Sequence, residues 1–119
     1  MLKPTFWQAL NNQAIILFEI GKIKESIIGW ENVLKINRNA EPMLALAAAL
    51  NQMSPNNPKA IKLTKQALAK NPNYISPKYQ EEQLWGKKLR NAARQLLSKP
   101  ELAAAVERAA ANSGANPDR

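Results

Sequence analysis

Histidine and cysteine are both absent from the 119 residues. The first absence removes the commonest general base and the commonest metal ligand. The second removes a disulfide framework, a thiol nucleophile and any cysteine-based metal site. No glycine-rich phosphate loop occurs. The adjacent pair Glu81 and Glu82 falls on a helical pattern, where neighbours point in different directions and cannot share a substrate. Catalysis is therefore not expected, and neither is a cofactor or a metal. Long apolar runs are missing too: the longest is Met43–Leu50, whereas a membrane span needs roughly 20 residues. The stretch Met1-Leu2-Lys3-Pro4-Thr5 lacks the apolar core of a signal peptide. The expected compartment is the cytoplasm, with peripheral attachment to a membrane left open.

Acidic residues are scarce, and unevenly so. The chain carries 17 Lys and Arg against 9 Asp and Glu, a formal charge of +8. Residues 1–56 are close to neutral, and 100–119 slightly acidic. The stretch 57–99 holds ten basic residues against Glu81 and Glu82, so the imbalance lies in the second half. Aromatic residues make up only 6% while hydrophobic ones reach 45%, which points to a core of Leu, Ile and Ala. The length fits one domain.

What is present is a repeat. Shifted by 34 residues, Trp7–Tyr74 falls on itself without a gap. Leu10 meets Leu44, Ala14 meets Ala48, Ser26 meets Ala60, Ile27 meets Ile61, and Leu34 meets Leu68. Each copy holds two apolar stretches of helical spacing with a break between them, so each is a helical hairpin. The small residues Ala14, Ala48, Ser26 and Ala60 permit close helix approach. A period near 34 built from helix–turn–helix units is the signature of tetratricopeptide repeats.

On these residues the chain resembles the tetratricopeptide repeat family, with Gly21 at the first hairpin turn, Trp30 as the second-helix aromatic and Pro72 closing the second copy. It departs from that pattern at Gln13, Asn51, Thr64, Pro55 and Arg38. The resemblance implies a right-handed α-solenoid that acts as a protein-interaction scaffold. It also implies that the first helix of each hairpin lines a concave groove. The family's variant that grips a C-terminal carboxylate uses basic residues on that face. Here those places hold Gln8, Asn11, Pro42 and Ala45, so a clamp of that kind is not expected.

The chain thus reads as an all-α domain over 1–111, with repeats at 7–40 and 41–74. Thr5 with Gln8 forms a capping box for the first helix, which ends at Gly21. Asn39 caps the third helix and Asn57-Pro58 opens the fourth. Ser76-Pro77 opens a fifth helix, read as one continuous capping helix over 77–97 that passes through Gly86. The apolar stripe of Trp85, Leu89, Ala92, Ala93 and Leu96 supports that reading. Ser98 with Glu101 suggests a capping box for a short final helix over 99–111, and 112–119 is expected to be a disordered tail. The runs Gln83–Arg90 and Leu96–Leu102 resemble the C-terminal extension of some cyanobacterial tetratricopeptide proteins.

Three candidate surfaces follow. The groove implied by the resemblance would offer Gln8, Asn11, Asn12, Ile15 and Glu19 from the first copy and Ala45, Ala49 and Gln52 from the second, for a partner peptide or helix. The N-terminal edge carries Phe6, Trp7 and Leu10. Carried backwards, the register makes Met1–Pro4 look like the last turn of a preceding repeat. Either the chain continues a longer array or this edge pairs with another chain, self-association included, with Trp7 as the anchor. The basic residues Lys59, Lys62, Lys65, Lys87, Lys88, Arg90 and Arg94 read first as solvated helix faces. The alternative is a basic adaptor for an acidic surface, whether an acidic protein, a nucleic acid or an anionic membrane. Nothing aromatic is interleaved among them as single-stranded nucleic acid would want, so nucleic acid is disfavoured.

Overall fold

The computed structural model describes residues 6–113, and every regular element among them is helical. Four helices of similar length come first: α1 (Phe6–Glu19), α2 (Ile23–Ile36), α3 (Ala40–Met53) and α4 (Pro58–Lys70). They form two hairpins, α1 on α2 and α3 on α4, and α3 also packs against α2. The expected capping residue Thr5 and the stretch Met1–Pro4 lie outside the described residues.

Local sequence explains the boundaries. Gly21 adopts φ +90°, a left-handed conformation that closes α1 and that a side chain would strain. The Asn57 side chain accepts a hydrogen bond from the Lys59 amide at 2.9 Å, and Pro58 occupies the first turn, where its missing N–H is harmless. Asn39 takes the capping position of α3 through its extended backbone alone, without a side-chain bond. The hairpins close on small residues. Ala14 is fully buried, and a Cβ added to Gly29 would lie 3.1 Å from the Ala14 Cβ, so α1 and α2 cross nearly in backbone contact.

Beyond Lys70 the expected layout is corrected. A single 3₁₀ turn (Pro72–Ile75) leads into α5 (Pro77–Glu82), and the chain then breaks before α6 (Lys87–Leu97). The continuous helix read over 77–97 is therefore two helices. Leu84 is the break: it has φ +70°, an uncommon conformation for a branched residue, and its side chain points to solvent. Gly86 is not a weak link inside a helix but the residue that caps α6. The final helix is shorter than expected: a 3₁₀ turn (Pro100–Leu102) precedes α7 (Ala103–Asn112). The Ser98–Glu101 capping box does not form, because the Ser98 hydroxyl donates back to the Arg94 carbonyl at 2.7 Å. Part of the expected tail is ordered. Ser113 is buried and donates to Asn73 Oδ1 at 3.0 Å, fastening the end of α7 to the first 3₁₀ turn. The rest of that tail lies outside the described residues.

α6 packs on α3 and reaches α1, while α7 packs on α4 and the first 3₁₀ turn. α3 is thus surrounded by α2, α4 and α6, and its residues from Pro42 to Ala49 are all buried.

Candidate functional site

The expected groove is not open. Ala45 and Ala49 are fully buried in the helix that α6 packs against, and Asn11 and Ile15 on α1 are buried too. Gln8, Asn12 and Gln52 remain exposed. The chain's own α6 covers the face that a partner segment was expected to use. The stripe of Leu89, Ala92, Ala93 and Leu96 on α6 is apolar enough to do so, with exposure down to 0% at Leu89 and Leu96.

Glu19, expected as a groove ligand, fastens this arrangement. Its carboxylate accepts from the Lys88 amide at 3.1 Å and from the Leu89 amide at 2.9 Å. These are orphan donors of the first turn of α6, so Glu19 caps that helix from another part of the chain, with the positive end of the helix dipole in its favour. Gly86 makes this possible: a Cβ there would lie 2.6 Å from Glu19 Cγ, inside any tolerable contact. Sequence periodicity could not show this pairing, since the partners are about 70 residues apart.

A second fastening is polar and buried. Asn11 Oδ1 accepts from Trp30 Nε1 at 3.0 Å, inside the first hairpin. Glu41, in the first turn of α3, accepts from Trp85 Nε1 at 3.0 Å. Asn11 and Tyr74 direct donors at the same carboxylate. Burial raises the Glu41 carboxyl above its ordinary value, and those three donors pull part of the way back. The Tyr74 phenol is pushed up, first by burial and then by the neighbouring carboxylate. Tyr74 stacks at 5.7 Å on the Trp85 ring, so Trp85 is held on two sides. This network ties α1, α2, α3 and the α5–α6 junction together.

The basic residues do not form one face. Lys87 and Lys88 lie exposed at the start of α6. Arg90 is half-buried, donates to the Trp85 carbonyl at 3.2 Å and pairs with Glu81 at 3.8 Å. Arg94 is exposed on α6, and Lys59, Lys62 and Lys65 are exposed on α4.

The N-terminal edge is apolar, but its centre differs from the expected one. Trp7 and Leu10 are partly covered, whereas Phe6 is 40% exposed and Ile16 and Ile20 are each 61% exposed. Phe6, Ala9, Gln13 and Ile16 on α1, with Ile20 in the turn directly after it, recur at helical spacing and form one outward face. Sequence reading missed Ile16 and Ile20 because a run of apolar residues, Ala14–Phe18, hides which of them face inward. The absence of charge was legible: α1 carries a single charged residue, Glu19.

Among the described residues, no helix is long and apolar enough to cross a membrane, and no cluster of acidic residues could hold a metal ion. No protein-family model, no characterised protein and no solved structure matches this chain.

Proposed function

We propose that the chain is a protein-interaction scaffold of the tetratricopeptide kind, not an enzyme. In this reading its docking surface is the outward face of α1, and the groove is closed by its own α6. The observation that carries the reading is the uncharged, exposed stripe of Phe6, Ala9, Gln13, Ile16 and Ile20. Soluble surfaces rarely leave a contiguous apolar face without a use. The repeat supplies the comparison: the equivalent positions on α3 are Ala40, Met43, Ala47, Leu50 and Ser54, and the first three are buried. α3 packs against α2, α4 and α6, whereas α1 packs mainly against α2 and touches α6 and α3 less. What fits the α1 face is another apolar helix.

A second copy of this chain meets that requirement. In a two-fold contact the middle of the face meets itself, so Gln13 meets Gln13, and a carboxamide both donates and accepts. The face itself carries no charged residue. A helix of this length extends about 20 Å. The pair would therefore bury less than the roughly 1,200–2,000 Å² of a standard interface, which gives a reversible dimer. The absence of cysteine makes the test clean. Under mild oxidation at tens of micromolar, Gln13→Cys should form a disulfide-linked dimer. Gln95→Cys, exposed on α6, should not. Equal crosslinking of the two, or none at Gln13→Cys, would count against the reading.

A further inference from the structure

A groove runs between α2 and α4, on a surface that neither the α1 face nor α6 uses. Two bonds cross it. Glu31 pairs with Lys59 at 3.7 Å, and Arg38 Nη2 donates to Gln66 Oε1 at 3.1 Å. Both join residues 28 apart, so the two helices run side by side in one fixed register. The bonds lie seven residues apart in each segment, with Arg38 just past the end of α2; on α4 that is two turns or roughly 10 Å. Between and around them the cleft has a volume of about 740 Å³. Its floor is apolar, made by Leu34, Leu46 and Leu63, and Ile28 stands on the rim 57% exposed. Its rim is cationic: Lys35, Arg38, Lys59 and Lys62 face one acid, Glu31, already paired with Lys59.

We propose that this groove binds an acidic amphipathic helix from a partner protein. The apolar floor requires an occupant with apolar side chains at helical spacing. The rim requires carboxylates beside them, because three cations have no acidic partner within the groove and the fourth shares an exposed, weak one. No aromatic residue lines the cleft, so stacking on nucleic-acid bases has no platform. On binding, the partner's carboxylates take over Lys59 and Arg38 from Glu31 and Gln66, and its apolar side chains enter between the two former rungs.

The probe is a labelled peptide of about 16 residues, long enough to span both rungs. It carries Leu at every third and fourth position and Glu on the flanks. Its controls are the same composition shuffled, a single-stranded RNA and phosphatidylserine vesicles. Fluorescence anisotropy should show the patterned peptide binding at submillimolar concentration. Lys59→Glu with Lys62→Glu should weaken binding by about tenfold or more, as lost charge complementarity does. Ile28→Asn should weaken it several-fold without a charge change. Lys78→Glu with Arg108→Glu reverses as many charges on exposed residues of α5 and α7 and should leave binding intact. All variants should melt like the parent, since they change exposed side chains. Failure of the patterned peptide to bind would overturn the proposal. So would equal binding of the shuffled peptide, tighter binding of RNA or vesicles, or equal losses in the two charge-reversal pairs.

Discussion

α1 and α3 are each 14 residues long and stand 34 positions apart in the repeat, yet they live in opposite surroundings. α3 is enclosed by α2, α4 and α6, and its centre is almost all Ala and Leu. α1 packs mainly against α2, touches α6 and α3 less, and leaves Ile16 and Ile20 in solvent. The same duplicated pattern gives a central element in one copy and a partly exposed edge in the other, according to how many neighbours cover it. The hairpins differ in chemistry as well. Hairpin one uses Trp30 and Asn11, hydrogen-bonded to each other. Their counterparts in hairpin two are Thr64 and Ala45, so both partners change together. The Thr64 hydroxyl is satisfied by the Ala60 carbonyl of its own helix at 2.7 Å. In hairpin one Asn11 also lies close enough to the Glu41 carboxyl to favour its charged form, so it stands where the two hairpins meet; Ala45 has no polar group to offer.

The comparison breaks most visibly at Trp30. Trp30→Thr makes hairpin one like hairpin two at that position. It removes a fully buried ring that packs 6.1 Å from Phe18 and leaves the Asn11 carboxamide without its donor. The expected loss is about 3–5 kcal/mol, read from urea unfolding. A loss under about 1 kcal/mol would show that the aromatic is dispensable, as it is in hairpin two.

Gly86→Ala comes next in size. The backbone at Gly86 suits any residue, so the effect isolates the contact with Glu19. Overpacking there should cost about 1–3 kcal/mol and loosen α6 from α1. Hydrogen exchange should show faster opening of the Lys88 and Leu89 amides than of the α3 amides. Uniform protection would mean that Glu19 is not the cap that matters. Buried at 0% exposure, Ala49 cannot carry an arginine without disrupting the core.

Glu41 gives the smallest and most pH-dependent effect. Burial holds its carboxyl above the ordinary value in the folded chain, so folding favours the protonated form. The charged form therefore weakens the fold at neutral pH. That penalty is relieved as the pH falls through the raised value towards the ordinary carboxylate range. Glu41→Gln should raise the melting temperature slightly at neutral pH, and the gap should close on acidification. A variant less stable at neutral pH, with the gap widening there, would show that the charge itself holds Trp85, Asn11 and Tyr74.

The sequence disclosed what repeats and what is absent. The 34-residue register located four helices to within a residue or two, because small and apolar positions recur within single elements. It also disclosed that α1 is nearly uncharged. It did not disclose the path after Tyr74. There the apolar stripe through Trp85 and Leu89 looked continuous, while the break depends on Leu84 in a left-handed conformation and on Glu19, far away in the chain. The closing of the groove was hidden for the same reason: Ala45 and Ala49 read equally well as an open small-residue face and as a seat for another helix. The scattering of the cations into separate sites is likewise a tertiary fact that a charge count cannot show.

The central claim is that the chain docks through the outward face of α1. Its most direct test is sedimentation equilibrium at tens of micromolar on the unmodified chain and on Ile16→Glu with Ile20→Glu. Both side chains are exposed, so the double variant should fold as the parent does, with changes near 0.5 kcal/mol per site. The account predicts a reversible monomer–dimer equilibrium for the parent and a monomer for the variant, with matching melting curves. A parent that stays monomeric throughout, or a variant that associates as strongly as the parent, would contradict it.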